Sequence, residues 1–224
     1  MIRFDESFEI KGTSEIPTVP QIDFVHVSTL TAAEARSFLD ELFSGDRDVT
    51  TEKVSYECDW EEIFNRNSDE FVFDFPFDDE ATKALTRFDE GEWSQLTTSE
   101  RLEAMRAFVE LLAAKLGLEK VPEIILFDGP DHLLGAFVEG EGNVEINKIL
   151  LEDPNALLNT LAHEMRHAYQ YEHAMNPQCW MDILYRINFD NYVTPEMSFE
   201  DYQDQLVEAE ARAFAKIFTP KEAE

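Results

Sequence analysis

Cysteine, positive charge and long apolar runs are all scarce in this 224-residue chain. The two cysteines, Cys58 and Cys179, lie far apart and form no CxxC pair. We interpret them as buried or free thiols rather than metal ligands, with one disulfide as the alternative. The sequence has no run of about 18 apolar residues, which is the length that a membrane-spanning helix needs. Residues 1–6 do not resemble a secretory signal. We therefore expect a soluble, cytoplasmic protein, while export without a signal peptide stays open.

The charge balance of the chain is strongly acidic. The sequence has 18 Lys and Arg against 48 Asp and Glu, which gives a formal charge of −30. Such a field repels nucleic-acid phosphate and anionic lipid, and it would favour a cationic partner or substrate. The acidic residues are spread along the whole chain, so a surface adapted for solubility or salt is the simpler interpretation. A hydrophobic fraction of 44% with 18 Phe indicates a globular chain with one sizeable core.

Residues 163–167 have the sequence His-Glu-Met-Arg-His, which is an HExxH pattern. On a helix, His163 and His167 lie on one face about one turn apart and can bind one metal ion. Glu164 then borders the open coordination position, where it can take a proton from metal-bound water. The alternative is an amphipathic helix whose histidines have this spacing by chance. We favour a catalytic site for one Zn²⁺.

The residues around the pattern predict a long helix. Asp153 followed by Pro154 is typical of an N-cap with proline at the first helical position. A broad apolar stripe continues through the pattern, and no glycine or proline interrupts it before Pro177. Asn159 and Thr160, one turn before the first histidine, either orient the metal ligands or are ordinary polar helix positions.

A catalytic zinc site normally has a third protein ligand, and His173 is one candidate. It follows His167 by six residues, a spacing that requires a helix-breaking glycine between the two histidines. Gln170 stands at that place instead. On a continuing helix, six residues advance by about 600°, which turns His173 away from the metal.

A second helix, predicted over residues 198–218, is the better source of the third ligand. Glu208 borders its apolar stripe beside Ala211, whose small side chain would let this helix approach the metal helix closely. Glu210 borders the other side of the same stripe. We predict Glu208 as the ligand and keep Glu210 as the second choice.

The remaining patterns predict an α+β fold. Residues 97–175 have the order helix, strands, metal helix, and residues 1–96 form an N-terminal α/β extension or subdomain. Phenylalanine on every second residue of 71–77 predicts a strand that buries one aromatic face, although such a stripe could also line a substrate groove. The further predicted helices are 31–45, 59–64 and 97–117, and the further strands are 22–27, 122–128, 134–139 and 143–147, the last two forming a hairpin.

At these residues the chain resembles the gluzincin-type zinc metallopeptidases, in which HExxH is followed by a glutamate ligand on a second helix. It is similar to short relatives with an ExxA second motif, which include the ImmA/IrrE-like peptidases and toxin-associated zincins. The matching stretches are HEMRHAYQ at residues 163–170 and EAEARAFA at residues 208–215. The resemblance covers roughly residues 97–220.

This resemblance implies a zincin-like domain at residues 97–224, in which a small mixed or antiparallel sheet packs on the metal helix and the C-terminal ligand helix. It implies His163, His167 and Glu208 as the ligands of one Zn²⁺ and Glu164 as the general base. It also implies a peptide or protein substrate, held by β-augmentation along the predicted hairpin.

Two details of the family pattern bear on the site. Thermolysin-like members have an acidic residue one turn past the ligand glutamate, where it orients a ligand histidine, but this chain has Arg212 there. Another group must therefore orient the imidazoles. Lethal-factor-type zincins have a tyrosine shortly before the ligand glutamate, so Tyr202 is our candidate for stabilising the oxyanion. A spacing of six residues does not align Tyr202 and Glu208 on one ideal helix face.

We therefore expect a zinc metallopeptidase, an endopeptidase rather than an exopeptidase. Neither nucleic acid nor membrane is an expected partner. One alternative is a catalytically inactive zincin fold that serves as a binding or regulatory module. Another is an acidic interaction protein that imitates the charge of nucleic acid.

Overall fold

A computed structural model describes residues 66–219. The predicted elements at 22–27, 31–45 and 59–64, together with Cys58, lie outside the described residues. The described part has seven α-helices and one mixed three-stranded sheet, which confirms the expected α+β class. None of its helices combines the length and apolar character that a membrane span needs. The division of the chain at residue 96 stays a prediction.

The elements follow one another as short helices, a long helix, the sheet, and then four helices. The first three helices are α1 (Asp79–Thr86), α2 (Glu90–Trp93) and α3 (Thr98–Leu116). The strands are β1 (Glu123–Phe127), β2 (Gly135–Val138) and β3 (Asn143–Asn147). The last four helices are α4 (Pro154–Met175), α5 (Trp180–Asp190), α6 (Phe199–Asp204) and α7 (Leu206–Lys216), and 3-10 turns occupy Ser68–Glu70 and Lys148–Glu152.

The helix α4 carries the HExxH pattern and lies at the centre of the described structure. Its start is as predicted, since the Asp153 side chain accepts a hydrogen bond from Ala156 N at 3.0 Å and Pro154 is the first helical residue. The helix then runs unbroken for 22 residues. It packs against α3, α5, α7, β2 and β3. These contacts on several sides fix the helix that carries His163 and His167.

The sheet has the order β1-β3-β2, with β3 parallel to β1 and antiparallel to β2. The predicted hairpin is confirmed. Its turn contains Gly140 and Gly142 with φ of 77° and 70°, a backbone region that glycine adopts without strain. β2 is an edge strand within the described sheet, because β3 pairs with only one of its sides. It contacts α4 and therefore borders the metal helix.

The strand predicted at residues 71–77 is wrong, and its aromatic face is only partly buried, since Phe77 is 50% exposed. Phe73 and Phe75 pack against the C-terminal helix, with ring centroids 5.3 Å from Phe214 and 4.9 Å from Phe218, respectively. Val72, the residue before Phe73, is 92% exposed. The segment is extended but has no strand partner within the described residues. Side-chain packing on a helix therefore replaces backbone pairing.

The helix predicted over 198–218 is broken in two. Gln205 has an extended backbone with ψ of 145° and separates α6 from α7. Its side chain is buried, donates to Val193 O at 2.8 Å and accepts from Asn188 Nδ2 at 3.1 Å. Because these partners lie in α5 and the loop after it, the break depends on tertiary hydrogen bonds that local sequence does not reveal.

We expect Phe218→Ala to lower the free energy of unfolding by about 3–5 kcal/mol, because it removes a buried ring and leaves a cavity. Phe218 is 5% exposed and contacts Phe75, Phe108 and Phe214 with centroid distances of 4.9, 5.4 and 5.4 Å. Urea unfolding measures the change. The control Val72→Ala should stay within about 0.5 kcal/mol of wild type, and equal losses in the two variants would contradict the described packing.

Candidate metal centre

The two histidines of the HExxH pattern meet on one face of α4. Their Nε2 atoms are 3.0 Å apart, as expected for residues spaced by four on a helix. His167 is fully buried, and the side chain of His163 is 14% exposed. The pair is therefore closed toward the protein interior and open to solvent only beside His163.

Glu208 joins the histidines from α7, as predicted. Its Oε2 lies 3.2 Å from His163 Nε2, and its Oε1 lies 3.3 Å from His167 Nε2. The three residues form the one group of His, Cys, Asp or Glu side chains within residues 66–219 that is arranged to hold a metal ion. Ala211 is fully buried and α7 packs against α4, in agreement with the close approach that we expected of these helices.

The spacing of the donor atoms fits a small ion with tetrahedral coordination. Ligands about 2.0–2.1 Å from a tetrahedral zinc are about 3.3 Å from one another. The observed separations of 3.0, 3.2 and 3.3 Å are close to this value. The donor set of two imidazole nitrogens and one carboxylate also suits zinc, whereas Mg²⁺ and Ca²⁺ prefer oxygen ligands throughout.

The protonation states favour metal binding. Burial lowers the pKa of His163, although the negative charge of Glu208 opposes this effect. Burial would raise the pKa of Glu208, but its electrostatic interactions and hydrogen bonds with His167 and His163 outweigh burial and hold this pKa well below the ordinary value. A neutral imidazole and an ionised carboxylate are the forms that bind metal, and both are therefore favoured at neutral pH.

The two alternative ligand candidates, His173 and Glu210, have other partners. His173 Nδ1 lies 3.0 Å from Asp182 Oδ1 on α5, because α4 continues as a helix past it. Glu210 Oε1 accepts hydrogen bonds from Arg166 Nη2 at 2.6 Å and from the Tyr185 hydroxyl at 2.8 Å. Neither residue belongs to the metal-ligand group.

Glu164 is almost fully buried between α4 and the edge strand β2. Its Oε2 accepts a hydrogen bond from the backbone N–H of Phe137 at 2.8 Å. Gly135 permits this close approach, because a Cβ there would lie 2.7 Å from Thr160 Cγ2 and 3.3 Å from Glu164 Cγ. The predicted general base is thus held next to His163 by the strand that we expect to bind substrate.

Two tyrosines, Tyr192 and Tyr202, lie next to Glu208. The Tyr192 hydroxyl donates to Glu208 Oε1, a contact that our sequence interpretation missed. Burial, together with the charges of Glu208 and Glu164, raises the pKa of Tyr202, whose ring centroid is 6.2 Å from that of Tyr192. The break at Gln205 changes the helical phase and brings Tyr202 to this side, despite its unfavourable spacing.

The residues before Tyr192 have a sequence pattern that predicts a helix. Apolar residues at 180, 183, 184 and 187 have the helical spacing that would have predicted α5. That pattern predicts the helix, whereas the contact between Tyr192 and Glu208 is tertiary and has no local signal.

The polar residues preceding His163 do not orient the ligands. Asn159 Nδ2 donates to Thr219 Oγ1 at 2.9 Å, and the Thr160 hydroxyl donates to Ala156 O at 2.8 Å. Of the two interpretations that the sequence left open, these bonds support ordinary polar helix positions.

No family model, curated protein or solved structure matches the chain. The resemblance to gluzincin-type peptidases therefore rests on the residues and geometry of the site.

We expect Gly135→Ala to lower the free energy of unfolding by about 1–3 kcal/mol, because the added Cβ overpacks the contact between β2 and α4. Adding Thr160→Ser removes the methyl group 2.7 Å from that Cβ and should recover part of the loss. Thermal unfolding measures both changes. Gly91→Ala is the matched control, since a Cβ added there would meet no neighbouring atom within 4 Å. Equal stability of Gly135→Ala and wild type would contradict the close approach.

Proposed function

We propose that the protein is a zinc-dependent metallopeptidase of the zincin type, in which His163, His167 and Glu208 hold one zinc ion and Glu164 is the general base. The observation that carries the proposal is the convergence of two imidazoles and a carboxylate at tetrahedral spacing, with a second buried glutamate beside them. Three protein ligands with an open fourth position are typical of catalytic zinc.

A bound zinc ion would supply a Lewis acid that lowers the pKa of its water to about 7 and polarises the scissile carbonyl. Glu164, next to His163, would take a proton from the attacking water as the water oxygen forms its bond to the scissile carbonyl carbon. When the C–N bond breaks, Glu164 passes the proton to the leaving amine nitrogen, so the proton count balances. The Phe137 N–H that bonds Oε2 of Glu164 keeps the carboxylate from rotating freely and so holds it beside the ligands.

The two tyrosines have different roles in this proposal. Tyr192 donates to a ligand oxygen and therefore positions Glu208. Tyr202 is the candidate for donating a hydrogen bond to the oxyanion. Its raised pKa keeps the hydroxyl protonated at neutral pH, as a hydrogen-bond donor must be.

The edge strand β2 supports a peptide as the substrate class. An extended peptide can add to the outer side of an edge strand through backbone hydrogen bonds, and this strand lies against the helix that carries the ligands and base. The acidic charge of the chain favours peptides with basic residues.

We expect Glu164→Gln to bind zinc with wild-type stoichiometry and to lower kcat on a cleaved peptide by about 10²–10⁴-fold, because the variant keeps the ligands but loses the base. Metal analysis and a peptide-library digestion measure the two effects. A wild-type protein that binds zinc but cleaves no peptide would instead support the binding-module alternative.

We expect His163→Ala and Glu208→Ala each to abolish stoichiometric zinc binding, because each removes one of the three proposed protein ligands. The matched control is His173→Ala, which removes a histidine from the same helix and should retain zinc. Full zinc binding by Glu208→Ala would show that this glutamate is not a ligand.

We expect zinc to stabilise the folded wild-type protein and a chelator to reverse the effect. At a free zinc concentration about 1,000 times the Kd, the gain in unfolding free energy is about 4 kcal/mol. Thermal unfolding with and without zinc measures it, and His163→Ala should give the same Tm in both conditions. An unchanged wild-type Tm at saturating zinc would contradict metal binding by the folded state.

A further inference from the structure

The imidazole ring of His167 needs a partner that sets its orientation, and the position expected to supply an acid holds Arg212. The Arg212 guanidinium donates to Gln203 O, and its Nη1 lies 3.9 Å from Glu208 Oε2. It therefore faces the carboxylate ligand and the α6 backbone. A different residue contacts the ring nitrogen of His167 that points away from the metal centre.

That residue is Gln170, one turn further along α4. Its Nε2 donates to Val207 O at 3.0 Å and to Glu210 Oε2 at 2.6 Å. A backbone carbonyl and an ionised carboxylate only accept hydrogen bonds, so the amide nitrogen must be at this end of the side chain. The amide oxygen must then face His167 Nδ1, which lies 2.9 Å from it.

This amide orientation determines the tautomer of His167. Because Gln170 Oε1 is an acceptor, His167 Nδ1 carries the hydrogen and donates it. Nε2 of the neutral ring is then left with a lone pair directed toward His163 and Glu208. This is the tautomer that binds a metal through Nε2.

Glu210 and Arg166 hold the amide in place. Glu210 bonds Gln170 through one carboxylate oxygen and Arg166 and Tyr185 through the other. The Arg166 guanidinium in turn lies 4.1 Å from the ring centroid of Tyr169. Gln170, Glu210 and Arg166 are all buried, so their positions are restricted by packing as well as by hydrogen bonds.

We propose that Gln170, held by the Glu210–Arg166 ion pair, is the positioning residue that selects the metal-binding tautomer of His167. The assignment rests on the metal site proposed above and takes the role for which the resemblance led us to expect an acid on α7. It also gives one shared function to Arg166, inside the HExxH pattern, and Glu210, the second-choice ligand. Both hold the amide of Gln170, which in turn orients His167. A buried ion pair is weak evidence for stability, but it can fix the geometry of its neighbour.

The direct test is the tautomer of His167 in the metal-free, full-length protein, measured by two-bond ¹H–¹⁵N NMR at a pH where the ring is neutral. We expect hydrogen on Nδ1 in the wild type and a mixture, or hydrogen on Nε2, in Gln170→Leu. The control Asn147→Leu removes another buried amide, one that donates to Pro130 O and Leu133 O and does not contact the histidines, so it should destabilise the protein and leave the tautomer unchanged. Hydrogen on Nε2 of wild-type His167 would overturn the proposal.

Zinc affinity provides the second readout. We expect Gln170→Leu to weaken zinc binding about 10- to 100-fold, as for other residues that orient a ligand. Gln170→Glu and Glu210→Gln should each weaken it, since the first places two carboxylates together and the second removes the acceptor of the amide. The exchange variant Q170E/E210Q restores one carboxylate beside one amide and should bind zinc more tightly than either single variant, but it should not regain full affinity because a carboxylate cannot donate to Val207 O.

The outcomes separate this proposal from the proposed function. If the wild type binds no zinc while His167 carries its hydrogen on Nδ1, the metal site fails and the role of Gln170 in setting the tautomer stands. If the wild type binds zinc and the Gln170 and Glu210 single variants bind it equally well, the positioning role is wrong and the ligand set stands. Should Gln170→Leu fail to fold, the exchange variant and its two single variants decide the question.

Discussion

The close contact between α4 and α7 is the constraint on which the rest of the site depends, because the candidate ligands are divided between these two helices. Alanines at 209, 211, 213 and 215 are buried in α7, and small side chains allow two helices to approach closely. The contact brings a fully buried carboxylate, Glu208, to two imidazoles. An unpaired buried charge costs several kcal/mol, so this arrangement requires compensating positive charge at the same place.

The ligand positions could be predicted because they depend on short-range geometry. Four residues on a helix return a side chain to the same face, which suffices for His163 and His167, and the capping residues define the helix itself. An apolar stripe and a small neighbour in a second helix predicted that an acid of that helix would reach the histidines, and they left both Glu208 and Glu210 as candidates. These features are local, and tertiary contacts do not alter them.

The sequence alone could not separate Glu208 from Glu210 on physical grounds, since both acids lie on the buried side of α7. Their partners on α4 distinguish them: Glu208 faces the histidines, whereas Glu210 faces Arg166. The strand prediction at residues 71–77 was wrong for a related reason. Alternating burial is the same for a strand in a sheet and for a chain packed on a helix, and only the position of α7 shows which occurs.

The extended residue Gln205 separates two helices that would otherwise share one helical phase. In a continuous helix, each residue inserted between Tyr202 and Glu208 would rotate one relative to the other by about 100° and shift it by about 1.5 Å. Hydrogen bonds join Gln205 to Val193 in the loop after α5 and also to the backbone carbonyls of Tyr202 and Asp201 in α6, so α6 and the start of α7 are held relative to each other. The number of residues between Tyr202 and the candidate ligand Glu208 is therefore restricted by the contacts of one buried amide, and an insertion there would break these bonds as well as move the tyrosine.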